Sequence, residues 1–216
     1  MNNCRFTHII AENIHKQISE IQSSRNTGDT GSTYVRWGRT TCPSNGSELV
    51  YHGYAGGSMY TKSGGASEYI CLPRDPIWGQ YEDAVQSSAG VHGAEYQLDD
   101  RTLSNFFETN IRQGYDDAPC AVCRASRSSV IMIPDRNQCY DGWTREYHGY
   151  LMAGYEGHKA ASEFVCLDIA PEVLTGGDHA ENKNGKLIYF AEARCGSLPC
   201  PPYVEGRELT CVVCSK

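Results

Sequence analysis

Residues 32–216 are expected to form a mainly β fold: two tandem homologous disulfide-stapled β-rich repeats, preceded by a short N-terminal α-helix. Three observations predict this. The cysteine-bearing motifs occur twice in the same order. Short runs of β-branched and aromatic residues are separated by Gly, Pro, Asn and Asp. Apolar residues take a helical spacing only at the front of the chain.

At that front end, Phe6, Ile10, Ile14 and Ile18 recur every four residues, with Ile9 and Ile21 on nearly the same side. This is the pattern of an amphipathic helix. It runs out in the polar connector from Gln22 to Gly31, so residues 1–31 form the first segment. A single short helix is marginal alone and needs its apolar face covered. Packing onto its own β region is one solution. Pairing with the same helix of a second chain is the preferred one.

Strands follow at Tyr34–Trp37, Leu49–Tyr51, Tyr69–Leu72, Phe164–Leu167, Leu187–Phe190 and Cys211–Val213, with a further short helix expected near 105–112. The repeat is carried by the motifs themselves. Tyr51-His52-Gly53-Tyr54 returns as Tyr147-His148-Gly149-Tyr150, and Ala66-Ser67-Glu68 as Ala161-Ser162-Glu163. Arg39 matches Arg136. Cys42, Cys71, Cys120 and Cys123 match Cys139, Cys166, Cys211 and Cys214, with the offset drifting from 97 residues at the first pair to 91 at the last. Ordered matches with a slow drift are what duplication followed by small loop deletions leaves. The repeats span 32–125 and 126–216. No Pro/Ser linker separates Cys123 from the apolar run Val130-Ile131-Met132-Ile133, which favours halves packed together.

Eleven cysteines point to an oxidising compartment, and disulfides here add to a core that 216 residues can build unaided. Cys120 and Cys123 are too close to bridge each other without strain. Each is therefore expected to pair with Cys42 or Cys71, in either arrangement, with Cys139, Cys166, Cys211 and Cys214 copying the scheme. Cys195 and Cys200 are placed to bridge locally. Cys4 is left over beside the helix, and an intermolecular Cys4–Cys4 bond is its preferred use. Zinc in the Cys-x-x-Cys pairs and a redox-active pair are the disfavoured alternatives. Residues Met1 to Arg5 do not read as a secretory signal, so a secreted location requires one to have been removed. Asn45-Gly46-Ser47 is one glycosylation acceptor pattern, which adds little.

Lys plus Arg total 19 against 26 Asp plus Glu, giving a net charge of −7. An acidic chain without a basic stripe is a poor candidate for nucleic acid, and no run approaches the length and apolarity of a membrane span. No nucleophile elbow, phosphate-cradling Gly loop or zinc-protease motif occurs. Asp99-Asp100 and Asp116-Asp117 lack the ligand spacing of a calcium loop. No catalysis and no cofactor or metal are expected.

Fourteen tyrosines and 22 glycines against five phenylalanines put aromatic rings beside polar turns. A sugar has an apolar C–H face and a rim of hydroxyls, which flat rings and fixed polar groups respectively match. Tyr54, Tyr60, Tyr150, Tyr155, Trp37 and Trp143 are the candidate platforms. Arg36 and Arg39 flank Trp37 and could meet a uronate, or form ion pairs instead. The turn containing His158, in Gly154-Tyr155-Glu156-Gly157-His158-Lys159, is the densest in hydrogen-bonding groups.

The stretches Tyr34-Val35-Arg36-Trp37-Gly38-Arg39-Thr40-Thr41-Cys42-Pro43, Val50-Tyr51-His52-Gly53-Tyr54-Ala55-Gly56-Gly57-Ser58, Pro119-Cys120-Ala121-Val122-Cys123-Arg124 and Cys195-Gly196-Ser197-Leu198-Pro199-Cys200-Pro201-Pro202-Tyr203 resemble a motif set of secreted marine-invertebrate proteins. That set includes the gonad lectins of sea hares and the non-collagenous domains of sponge short-chain collagens. The resemblance covers about residues 32–216. Its lectin members imply galactose and galacturonic acid binding, and its collagen-linked members imply only an extracellular module. Where the family pattern has His, this chain has Met59, which weakens a first-half site. The expected sugar contacts are therefore Tyr150, Tyr155, His158, Glu163 and Arg145, with Tyr54 and Arg39 from the first half. The expectation is a secreted, non-catalytic lectin, multivalent through duplication and a disulfide-linked homodimer, with glycans as its partners. The alternative is a structural matrix module without sugar binding.

Overall fold

A computed structural model describes residues 30–86, 89–98, 105–108, 115–174 and 183–216. The expected N-terminal helix and Cys4 lie outside these residues, as do residues 109–112 of the helix expected near 105–112. Among the described residues there are ten strands: β1 (Ser32–Trp37), β2 (Ser47–Gly57), β3 (Ile70–Pro73), β4 (His92–Tyr96), β5 (Pro119–Ala125), β6 (Val130–Pro134), β7 (Thr144–Ala153), β8 (Val165–Asp168), β9 (Lys186–Phe190) and β10 (Thr210–Ser215). The chain is mainly β, as its β-branched and aromatic runs predict, and each expected strand coincides with an observed one.

Pairing follows one plan twice. Within residues 32–125, β5 lies antiparallel between β1 and β2, and β2 also carries β3 and β4. Within residues 130–215, β10 lies between β6 and β7, and β7 also carries β8 and β9. Two parallel junctions then join the sets. Trp37 of β1 meets Leu167 of β8, and Ala94–Tyr96 of β4 runs beside Lys186–Ile188 of β9. The sheet thereby closes through β7, β8, β1, β5, β2, β4 and β9 into a seven-stranded barrel, with β3, β6 and β10 outside the ring. Closure removes sheet edges that would otherwise pair with other chains.

Alternation along the strands sorts side chains into two cores. Trp37, Ala55, Ala94, Tyr96, Cys120, Met152, Val165, Leu167 and Ile188 fill the barrel, so every ring strand contributes to one cluster. Opposite faces of β1, β5, β7 and β8 join β10 in a second cluster containing Tyr34, Cys123, Tyr147, Leu151, Cys166, Cys211 and Val213. Strand β8 is buried on both faces.

The bridges are Cys42–Cys123, Cys71–Cys120, Cys139–Cys214, Cys166–Cys211 and Cys195–Cys200. This resolves the connectivity left open by the sequence. Cysteines three apart on a strand face opposite ways, so Cys120 is stapled inside the barrel and Cys123 within the second cluster. Five disulfides fit an oxidising compartment. Among the described residues no helix is long and apolar enough to cross a membrane.

The repeated Tyr-His-Gly-Tyr motif has a steric cause. A Cβ on Gly53 would collide with the carbonyl oxygen of Leu72, and one on Gly149 with that of Leu167. Glycine lets β2 close on β3, and β7 on β8. The motif tyrosines also bond locally: Tyr51 Oη donates to Cys71 O at 2.9 Å, and Tyr147 Oη to Cys166 O at 3.0 Å.

Candidate binding site

The turn after β7 and the turn after β2 meet at one end of the barrel. Residues 154–163 are closed by a hydrogen bond from His158 N to Tyr155 O of 2.9 Å. Residues 58–68 are closed by Lys62 N to Met59 O and Gly65 N to Lys62 O, both 3.0 Å. The two turns then bond each other: Ala160 N donates to Tyr60 O at 3.0 Å, and Glu163 N to Ser67 O at 3.1 Å. Tyr69 N donates to Glu163 Oε1 at 2.8 Å.

Lys186, at the start of β9, ties both turns from below. Its ammonium donates to Ser67 O at 3.1 Å and Ala161 O at 3.0 Å, and lies 4.8 Å from the Tyr69 ring centroid. Burial pulls its pKa down, while the carboxylates of Glu163 and Glu68 pull the other way. Tyr69 completes the support by donating to Leu187 O at 2.8 Å, and burial pushes its pKa up to about 12.

On this base stands an aromatic group drawn from both halves of the sequence. Ring centroids are 4.6 Å apart for Tyr60 and His158, 5.2 Å for Tyr155 and His158, 5.7 Å for His158 and Tyr189, and 5.8 Å for Tyr155 and Tyr189. Tyr155 is 54% exposed, which leaves ring surface to stack on. Burial raises the pKa of Tyr189, and the hydroxyls of Tyr60, Tyr115 and Tyr155 add to the rise. Four tyrosines therefore converge here. Burial holds the His158 imidazole below its ordinary pKa, so it is neutral at pH 7. Its Nδ1 is buried without a hydrogen-bond partner. The gap between Tyr60, His158, Ser162 and Lys186 is too narrow to admit a water molecule. A ligand would rest on ring faces and edges and would not be engulfed.

Of the sequence-predicted contacts, Tyr155, His158 and Glu163 are brought together, although one Glu163 oxygen is engaged in capping the neighbouring turn. The others are placed elsewhere. Tyr150 packs edge-on against Phe106, Phe107 and Phe190, at 5.2–5.5 Å. Arg145 is exposed near the opposite end of β7 from Tyr155, roughly 30 Å away at strand rise. Tyr54 lies under the Arg74 guanidinium, 5.6 Å from its ring centroid. Arg39 pairs with Glu172 at 3.1 Å and donates to Ala170 O at 2.8 Å. Arg36 is held by Asp168 at 2.7 Å, and Trp37 is buried, so the Arg-Trp-Arg stretch serves packing. Of those platforms Tyr60 alone joins Tyr155 in the group.

Sequence reasoning missed Tyr115, Lys186 and Tyr189. Only Tyr189 carried a signal: with Ile188 facing the core, strand alternation turns Tyr189 outward. No family model matches the chain. Among the described residues, no group of three or more His, Cys, Asp or Glu is arranged to hold a metal.

Proposed function

We propose that the protein is a secreted, non-catalytic lectin for galactose-type sugars, and that Tyr60, Tyr155, His158 and Tyr189 form its binding surface. The observation that carries this reading is the exposed ring of Tyr155 beside a neutral imidazole and three more phenols. Stacking on a pyranose C–H face and hydrogen bonding to its hydroxyls need that combination. The sequence resemblance to sea-hare gonad lectins points the same way. A galacturonate would add a carboxylate, for which Lys159, exposed beside His158, is the adjacent cation.

The recurrence of one strand-pairing plan and one bridging plan supports an origin by tandem duplication. The meeting of the two turns makes one composite site per chain out of the two copies. Multivalency then comes from dimerisation through residues 1–31 and Cys4. Calorimetric titration with galactose and with galacturonic acid tests the site. Wild-type protein binds in the weak range usual for single sugars, Tyr155→Ala weakens binding at least tenfold, and the variant keeps its near-UV circular dichroism. Absence of binding to any saccharide on a broad glycan array, with the fold intact, overturns the reading and favours the structural matrix module. A non-reducing gel at monomer mass refutes the Cys4 bridge.

A further inference from the structure

Aromatic rings and hydroxyl-binding groups coincide a second time in the connection between β3 and β4, residues 74–91. Trp37 is buried and Trp143 half-buried, but Trp78 is 74% exposed, Tyr81 68% and Ile77 98%. Leaving such side chains in water forgoes roughly 1.5–3 kcal/mol each. The fold does not demand them there. The corresponding connection between β8 and β9, residues 169–185, contains no Trp, Tyr or Phe. Its described beginning is fastened to the barrel by Glu172 N to Gly38 O at 2.7 Å and by the Arg39–Glu172 pair. In residues 74–86 the described side-chain bonds are near at hand: Gln86 Nε2 donates to Glu82 Oε2 at 3.1 Å, and Arg74 approaches His52 Nε2 at 3.4 Å.

This connection also shapes a concavity of about 590 Å³, lined by Gly79, Gln80, Tyr81, Glu82 and Gln86. It is shallow and widely open to solvent, so a ligand would lie against its wall with one face still in water. Its chemistry is specific. Two carboxamides each offer a donor and an acceptor, a carboxylate accepts twice, and a phenol ring offers a flat face. Neighbouring hydroxyls of a pyranose alternate as donor and acceptor in the same way. No Lys or Arg lines the concavity, and Glu82 with adjacent Asp83 makes it acidic. A uronate or phosphate is therefore disfavoured, and a neutral sugar fits.

We propose that residues 78–86 form a second saccharide subsite, selective for neutral hexoses, with Tyr81 as the stacking face and Gln80, Gln86 and Glu82 as hydroxyl partners. It deepens the lectin reading, because a chain with two subsites cross-links glycans without dimerising. The two subsites rest on different residues and can fail separately.

Calorimetric titration with galactose, glucose and mannose tests it, on wild type, Tyr81→Ala/Gln86→Ala and Tyr155→Ala/His158→Ala. The expected result is two sites per chain in wild type for at least one neutral hexose. Each double variant then retains one site. Galacturonic acid binds one site in wild type and in Tyr81→Ala/Gln86→Ala, and none in Tyr155→Ala/His158→Ala. Trp78 emission shifts on addition of the neutral hexose, and the shift is lost in Tyr81→Ala/Gln86→Ala. One site per chain, abolished by the changes at 155 and 158 and unmoved by those at 81 and 86, overturns the second subsite and leaves the lectin reading standing. One site with the opposite pattern overturns the composite site and sustains the second. No binding of any hexose to wild type overturns both.

Discussion

Glu146 is the residue on which most polar contacts converge. Its carboxylate is fully buried and accepts from Tyr34 Oη at 2.9 Å, Ser47 Oγ at 2.7 Å, Arg127 Nη2 at 2.6 Å and Ser215 Oγ. Burial alone would raise its pKa, but these hydrogen bonds outweigh burial and hold it below the ordinary carboxylate value. A carboxyl with a depressed folded-state pKa stabilises the fold above its unfolded pKa and loses that contribution as pH falls through the folded value. Glu146→Gln turns two acceptors into one acceptor and one donor that faces donors. The expected cost is about 3 kcal/mol at pH 7, read from the urea midpoint, shrinking below about pH 4. An unchanged midpoint contradicts the role. His158 gives the second residue-scale prediction. Its depressed pKa keeps it neutral, so affinity for galactose stays flat from pH 8 to the ordinary imidazole value and declines only below it. His158→Gln weakens binding about five- to tenfold and removes the decline, as titrations at a series of pH values check.

Among the elements, β5 and β10 bear the most covalent constraint. Each is bridged on both faces, by Cys71–Cys120 and Cys42–Cys123 in one case and by Cys166–Cys211 and Cys139–Cys214 in the other. The loop closed by Cys71–Cys120 has a sequence separation of 49, for which the chain-entropy argument gives about 4 kcal/mol. Replacing both cysteines by Ala is expected to lower stability by that order in chemical denaturation, and a cost under about 1 kcal/mol would show that the barrel core suffices. Sequence reasoning named six of the ten strands, the short β-branched or aromatic runs of β1, β2, β3, β8, β9 and β10, and left β4, β5, β6 and β7 unnamed. Strand β4, His92-Gly93-Ala94-Glu95-Tyr96, escaped because its own residues carry little β signal. It is a strand because β9 pairs with it, and a single-chain pattern does not contain its partner. Strand β7 escaped because Arg145, Glu146 and His148 interrupt its apolar residues, and Glu146 is satisfied only by distant partners, Tyr34, Ser47, Arg127 and Ser215. Likewise the turn at 154–163 was legible as a polar aromatic segment, but the arrival of Tyr60 and Tyr189 beside it depends on long-range closure.

At the scale of the molecule, the barrel belongs to neither half of the sequence. Strands β1, β2, β4 and β5 come from residues before 126, and β7, β8 and β9 from residues after it. Polar ties cross the same divide: Arg36 to Asp168, Arg39 to Glu172, and Tyr34 to Glu146. A fragment of residues 31–125 alone would leave the Trp37 and Tyr96 faces uncovered. It is expected to lack amide protection in hydrogen exchange and to gain it on mixing with residues 126–216. A folded, protected 31–125 fragment would contradict a shared core. The repeated motifs made the two halves legible, but likeness between them carries no information on whether they pair. That is decided by the parallel junctions, which the motifs do not include. The composite surface follows from closure, because closing the barrel through β4 and β9 brings the two post-hairpin turns together. The most direct test is a crystal of the protein soaked with galactose. The account predicts density for the sugar ring against Tyr155, within hydrogen-bonding reach of His158 and the Tyr60 or Tyr189 hydroxyl. A well-diffracting soaked crystal with that surface empty, under conditions where titration shows saturation, would contradict it.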